Sequence, residues 1–143
     1  MREGQIRPIA ICVCRQGDRI LVAEGHDSKK GQTFFRPLGG TIEFGERGEE
    51  TVRREFHEEI AAELTNVTYV GMLENIYTYE SRRGHEIVLV YDGRLSDTSL
   101  YKKSSLQGDE LGQPFTAMWK HLNDFGPGKP PVYPDGLVEL LEN

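Results

Sequence analysis

Three glutamates within five residues, Glu55, Glu58 and Glu59, carry the strongest hint of chemistry in the chain. They lie in a run of good helix formers from Glu49 to Leu64. At about 100° per residue, Val52, Phe56, Ile60 and Leu64 form an apolar stripe, and the three carboxylates fall in one sector beside it. They are i, i+3 and i+4 neighbours, so their side chains can converge, and like charges at that spacing repel. Arg54 can offset only part of that repulsion. A divalent cation answers it directly, and hard oxygen ligands without His or Cys suit Mg²⁺, with Mn²⁺ as a substitute, rather than zinc. Taken alone, E-x-x-E-E fits a solvated acidic helix face at least as well.

The wider segment narrows the choice. Gly40, Glu46, Arg54-Glu55-Phe56 and Glu58-Glu59 stand at the spacing G-x5-E-x7-R-E-U-x-E-E-x-G-U, where U is a bulky apolar residue. On these residues the chain resembles the Nudix hydrolase superfamily. The pattern departs at its end, where Ala61 replaces the glycine and the small Ala62 fills the last apolar position. Alanine there allows the helix to run on to Leu64. Pro37 precedes Leu38 and the glycine pair, one position earlier than the family's usual proline.

The resemblance implies an α/β/α sandwich with a mixed sheet between helices. It implies metal-dependent hydrolysis of a pyrophosphate bond in a nucleoside diphosphate linked to another moiety: a nucleotide sugar, a nucleoside triphosphate or a dinucleoside polyphosphate. Glu55, Glu58 and Glu59 would hold Mg²⁺, with the Gly39 carbonyl as a further ligand, and Glu46 and Arg54 would brace the loop before the helix. A surface pair of that kind is worth about 0–1 kcal/mol, so its value would be geometric. The competing reading is a Nudix-like domain that binds a nucleotide as a sensor without cutting it. The retention of all three carboxylates favours the enzyme.

A hydrolase also needs a general base. Glu55 is the leading candidate. Asp109 and Glu110 would compete if the polar stretch Ser96–Pro114 is a long loop able to close, and Glu86 is a third option. Single histidines such as His57 and His85 read as surface groups. Substrate contacts are less legible. Phe35, Tyr77, Tyr79, Tyr91 and Tyr133 could stack on a base but fit a core equally well. Arg7, Arg36, Lys102 and Lys103 could bind phosphate.

The elements that must position these groups follow from patterning. Ile9–Val13 reads as a buried strand, followed by a turn at Gln16-Gly17-Asp18 and a return strand over Arg19–Ala23. Gly25–Gly31 reads as a polar loop and Thr33–Phe35 as a short extended piece. Val67–Tyr79 and Ile87–Tyr91 read as strands joined by a turn at Ser81–Gly84, the second buried on both faces. Ala117–Trp119 is a strand with Trp119 in the core, His121–Asp124 a turn, and Asp135–Leu141 a closing helix. Strands and helices mix without βαβ alternation, which indicates a mixed sheet with helices on it.

Residues 1–143 fit one domain. Seventeen basic against twenty-three acidic residues give a net charge of −6, which disfavours a general nucleic-acid binder. Neither a signal peptide nor a membrane span is expected. Cys12 and Cys14, two apart on one strand, read as core thiols in a reducing cytoplasm. The partner expected is a nucleotide-type small molecule, and a homodimer is left open.

Overall fold

The computed structural model describes residues 3–143. Its strands are β1 (Ile6–Gln16), β2 (Arg19–Asp27), β3 (Gln32–Arg36), β4 (Leu38–Thr41), β5 (Leu64–Tyr79), β6 (Arg82–Leu95), β7 (Ser105–Glu110) and β8 (Gln113–His121). Helix α1 (Gly48–Ile60) lies between β4 and β5, and α2 (Leu137–Glu142) closes the chain. The strand order is β5-β6-β1-β2-β8-β7, with β4 on β1 and β3 on β2. β1 runs parallel to β6 from Ile6↔His85 to Cys14↔Gly93 and antiparallel to β4 from Ile9↔Thr41 to Cys12↔Leu38. It meets β2 only at Arg15↔Ile20 and Gln16↔Arg19. The sheet therefore opens between β1 and β2, and β4 fills the opening.

Alternation along β1 divides the core in two. Ala10, Cys12 and Cys14 face α1 and pack with Leu21, Leu38, Val52, Phe56 and Trp119. Ile9, Ile11 and Val13 face α2 and pack with Val22, Phe35, Val88, Leu137 and Leu141. Burial on both sides explains why β1 reads as an unbroken apolar run. This is the expected α/β/α sandwich. Cys12 and Cys14 are free, buried thiols of the α1-side core.

Several boundaries differ from the sequence reading, each for a local reason. The first helix stops at Ile60. Ala61 takes the left-handed conformation (φ 53°, ψ 37°), and the N–H groups of Ala61 and Ala62 donate to the carbonyls of His57 (3.1 Å) and Phe56 (3.2 Å). The Ala61-to-His57 bond with Ala61 left-handed is an αL helix ending, which glycine usually supplies. The chain ends its helix there without the glycine, and Leu64 opens β5 instead of extending the stripe. Ser96–Pro114 is not a long loop: it holds a 3₁₀ turn at Thr98–Lys102 and all of β7, which pairs with β8. The β5–β6 turn comes earlier than expected, at Glu80-Ser81, both at positive φ. β6 is fully buried on one face only: Val88 and Val90 are buried, whereas Ile87, Leu89 and Tyr91 are half-buried. β2 runs on through the expected loop to Asp27, and Gly39-Gly40 lie within β4.

Candidate active site

Two glycines on β4 create the space. A Cβ at Gly39 would strike the Ala10 carbonyl oxygen and come within 2.7 Å of the Ile11 Cα, so glycine is needed for β4 to lie this close to β1. A Cβ at Gly40 would land on the Glu55 carboxylate. The missing side chain at position 40 is what lets Glu55 rest its head group on the β4 backbone. α1 supplies that head group from the carboxylate sector, while Val52 and Phe56, both fully buried, fix the helix on the sheet.

Glu46 and Arg54 tie the β4–α1 loop to the helix. Arg54 Nε donates to Glu46 Oε2 at 2.8 Å and its Nη2 to Glu46 Oε1 at 2.9 Å, a two-point contact. Glu46 Oε1 also accepts from the Thr51 hydroxyl (2.6 Å) and the Glu43 N–H (3.2 Å). The Arg54 bonds, with help from Thr51, hold the Glu46 carboxyl down at about 2 against the opposing effect of burial. Arg54 then reaches Glu55 Oε1 at 2.9 Å and the Thr41 carbonyl at 3.2 Å, with Glu58 at 3.5 Å and Glu43 at 3.6 Å. The side chains of Arg54 and Glu46 are only 24% and 16% exposed, so this brace is more than a surface pair.

Glu59 is the anomaly. It is 8% exposed and lies on the cluster side of α1. Burial, and then the negative charges of Glu55 and Glu110, push its carboxyl up to about 9. Two carboxyl groups side by side near a glycine backbone are hard oxygen donors suited to a cation. That donor set fits a divalent hard ion and offers nothing to a soft one. Among the described residues, no three His, Cys, Asp or Glu side chains enclose a metal position as they stand. Glu58, the third carboxylate, is about half exposed and faces Arg54.

Gly39, Gly40, Glu46, Arg54, Glu55 and Glu59 thus come together, with Glu58 at the rim. The other base candidates have separate employment. Asp109 accepts from the Gly112 N–H at 2.7 Å and caps the β7–β8 turn. Glu86 accepts from the Tyr77 hydroxyl (3.0 Å) and from Arg7 (3.5 Å), while Arg7 also donates to the Thr41 hydroxyl at 2.9 Å. Burial and the Glu86 charge push the Tyr77 phenol up to about 12. Glu110 ends β7 beside the cluster and meets Arg36 at 3.7 Å. Phe35 is buried core, and Trp119 stacks on Tyr101 at 5.3 Å. Lys102 and Lys103 line a cavity of about 330 Å³ with Arg19 and Trp119, apart from the carboxylates. The sequence reading missed Thr41 and Thr51. Neither residue type signals a site, and only the fold shows that both serve the Arg54 network.

Comparison with known proteins places this geometry in a family. The NUDIX domain model matches residues 5–135. The chain belongs to the NUDIX domain family. This NUDIX domain is similar to a protein named NAD-capped RNA hydrolase NudC from Pseudomonas putida, 39% identical over 67 residues, covering 47% of this chain and 24% of that protein. It is similar along more of its length to the protein of the same name from Actinobacillus succinogenes, 30% identical over 138 residues, covering 94% of this chain and 46% of the other. The chain therefore spans between a quarter and a half of the length of these curated relatives. A solved MutT NUDIX hydrolase from Burkholderia pseudomallei superposes with a TM-score of 0.68 at 20% identity, over 96% of this chain and 97% of that one, which shows the shared fold. Among the described residues, no helix is long and apolar enough to cross a membrane.

Proposed function

We propose that this NUDIX domain, residues 1–143, is a divalent-metal-dependent hydrolase of a pyrophosphate bond in a nucleoside diphosphate linked to a further group. One observation carries the reading: Glu55 rests its carboxylate against the bare backbone of Gly40 with the buried Glu59 one helical turn on, while Arg54 and Glu46 hold the loop and helix in register. Burying two carboxyl groups side by side costs stability, and a site for a cation gives that cost a purpose.

Glu55 and Glu59, with Glu58 and the Gly39 carbonyl, are the groups that would hold Mg²⁺ or Mn²⁺. When bound, the metal neutralises phosphate charge and acidifies a water. Arg54 fixes the Glu55 carboxylate through Oε1 and so orients it toward the cleft. Glu55 takes the proton from the attacking water. The new P–O bond forms in line with the anhydride oxygen, which leaves on the outgoing phosphate. Glu86 and Asp109 are less suited to that role, because each is engaged elsewhere.

The relatives' name, NAD-capped RNA hydrolase, adds a nicotinamide dinucleotide to the substrates worth assaying. The net charge of −6 favours a free nucleotide over a long nucleic acid. A cytoplasmic setting suits the two free thiols. The test is nucleoside monophosphate release from NADH, ADP-ribose, a deoxynucleoside triphosphate and a dinucleoside tetraphosphate. Turnover of at least one with Mg²⁺, abolished by EDTA, is expected. Turnover that survives EDTA, or binding of every compound without cleavage, would contradict it.

A further inference from the structure

Binding a polyphosphate at the carboxylate site needs a positive side chain that is free to take a phosphate, and among the described arginines beside the cluster most are committed. Glu43, Glu46, Glu55 and Glu58 gather around Arg54, with Glu59 and Glu110 beside them, and a polyphosphate approaching them is repelled. Arg54 is committed to Glu46, Glu55 and the Thr41 carbonyl. Arg7 is committed to Glu86 and the Thr41 hydroxyl. Arg36 is different. It ends β3 opposite Ala23, which packs on the α1-side core, so Arg36 shares the face that carries the cluster. Arg36 faces Glu110 at the end of β7, the strand beside α1.

Its one ion partner holds it loosely. Arg36 Nη2 and Glu110 Oε1 are 3.7 Å apart, beyond hydrogen-bond length, and the side chains are 58% and 48% exposed. Exposed pairs of this kind contribute little to stability, so a stronger anion can replace the carboxylate. A guanidinium prefers a phosphate it can meet with two parallel N–H bonds. The geometry points to Arg36 as the residue that grips a phosphate of the substrate, exchanging Glu110 for a non-bridging phosphate oxygen as the substrate enters. In the free protein Glu110 parks the arginine beside the cluster, and on exchange its own charge is released to the solvent edge. This assignment rests on the pyrophosphohydrolase reading for its substrate, but the contact itself is to phosphate.

Calorimetric titration of inorganic pyrophosphate in the presence of Mn²⁺ isolates that contact from turnover. Arg36→Ala should weaken pyrophosphate binding at least tenfold, Arg36→Lys should recover part of the loss as a point charge, and Glu110→Gln should bind at least as tightly as wild type. On whichever nucleotide the wild type cleaves, Arg36→Ala should raise KM at least tenfold and change kcat several-fold less, with Glu110→Gln lowering KM. A purely structural ion pair would make Arg36→Ala and Glu110→Gln equally harmful, and that result overturns the assignment. Unchanged affinity in Arg36→Ala, or no binding of pyrophosphate to the wild type, overturns it as well. A wild type that binds pyrophosphate through Arg36 yet cleaves no nucleotide would count against the hydrolase reading and leave the phosphate contact standing.

Discussion

At the scale of single residues, Glu59 and Arg54 have opposite relations to stability. Glu59 is buried beside Glu55, and the charge of Arg36 offsets only part of the cost. Glu59→Gln keeps the shape and removes the cost of taking up a proton on burial, so in EDTA at pH 7 its melting temperature should equal or exceed that of wild type while turnover falls. Differential scanning calorimetry of the metal-free proteins checks this, and a clearly lower melting temperature would count against the strained carboxyl pair. Arg54 is the reverse case. Its loss leaves Glu46 and Glu55, both largely buried, without their donor. Arg54→Ala should cost about 2 kcal/mol in urea unfolding and about 100-fold in turnover through misplaced Glu55. From sequence alone the pair reads as a surface contact, because spacing fixes who meets whom but not how much solvent is left between them. The carboxylate cluster, by contrast, is legible early, since helix geometry alone places Glu55 and Glu59 on one face. The Gly40 contact needs the register of β4 against β1 and cannot be inferred from the glycine itself.

At the scale of elements, the helix exit and one turn cluster show what patterning misses. Ala61 adopts a left-handed conformation that alanine dislikes, by about 1–2 kcal/mol. Ala61→Gly should therefore stabilise the protein by about 1 kcal/mol with turnover unchanged, measured by urea unfolding and a rate assay. Destabilisation would mean that the methyl group packs in a way the exposed position does not suggest. The periodicity of Glu49–Leu64 suggested a longer helix because Leu64 continues the apolar stripe by coincidence; its burial comes from β5. The stretch Ser96–Pro114 looked like a loop because β7 is short, polar and exposed at an edge, where alternation is weak. Asp27 is a further case, a buried carboxyl at the end of β2. Burial raises its pKa, but N–H bonds from Lys30 (3.1 Å), Glu80 (3.2 Å) and Lys29 (2.9 Å) win and hold it below the usual carboxylate range. A lowered folded pKa gives stability that is present above the unfolded value, about 4, and is lost as pH falls through the folded one. Asp27→Asn should melt lower than wild type at pH 7, with the gap closing toward pH 3. A gap independent of pH would show that the side-chain volume, not its charge, is what the turns need.

At the scale of the whole molecule, the sandwich was legible and its seam was not. Strand and helix patterning indicates a mixed sheet with helices on it and the resemblance implies the sandwich, but the opening between β1 and β2 depends on where two registers end. That opening receives β4, and with it the glycine pair on which Glu55 rests. The acidic surface has its own consequence. A net charge of −6 disfavours a general phosphate track, so any affinity for an oligonucleotide should hold or rise between 50 and 200 mM salt, as repulsion is screened. A protein with six or more phosphate contacts would lose about 10³-fold or more in affinity over that range. Such a fall would show that the net charge conceals a binding surface. The account turns on whether the paired carboxyl groups of α1 are a cation site. Mn²⁺ titration followed by electron paramagnetic resonance reads this directly. The wild type should bind at least one Mn²⁺, and Glu59→Gln should lose most of that affinity while remaining folded. Equal Mn²⁺ affinity in the two proteins would contradict it.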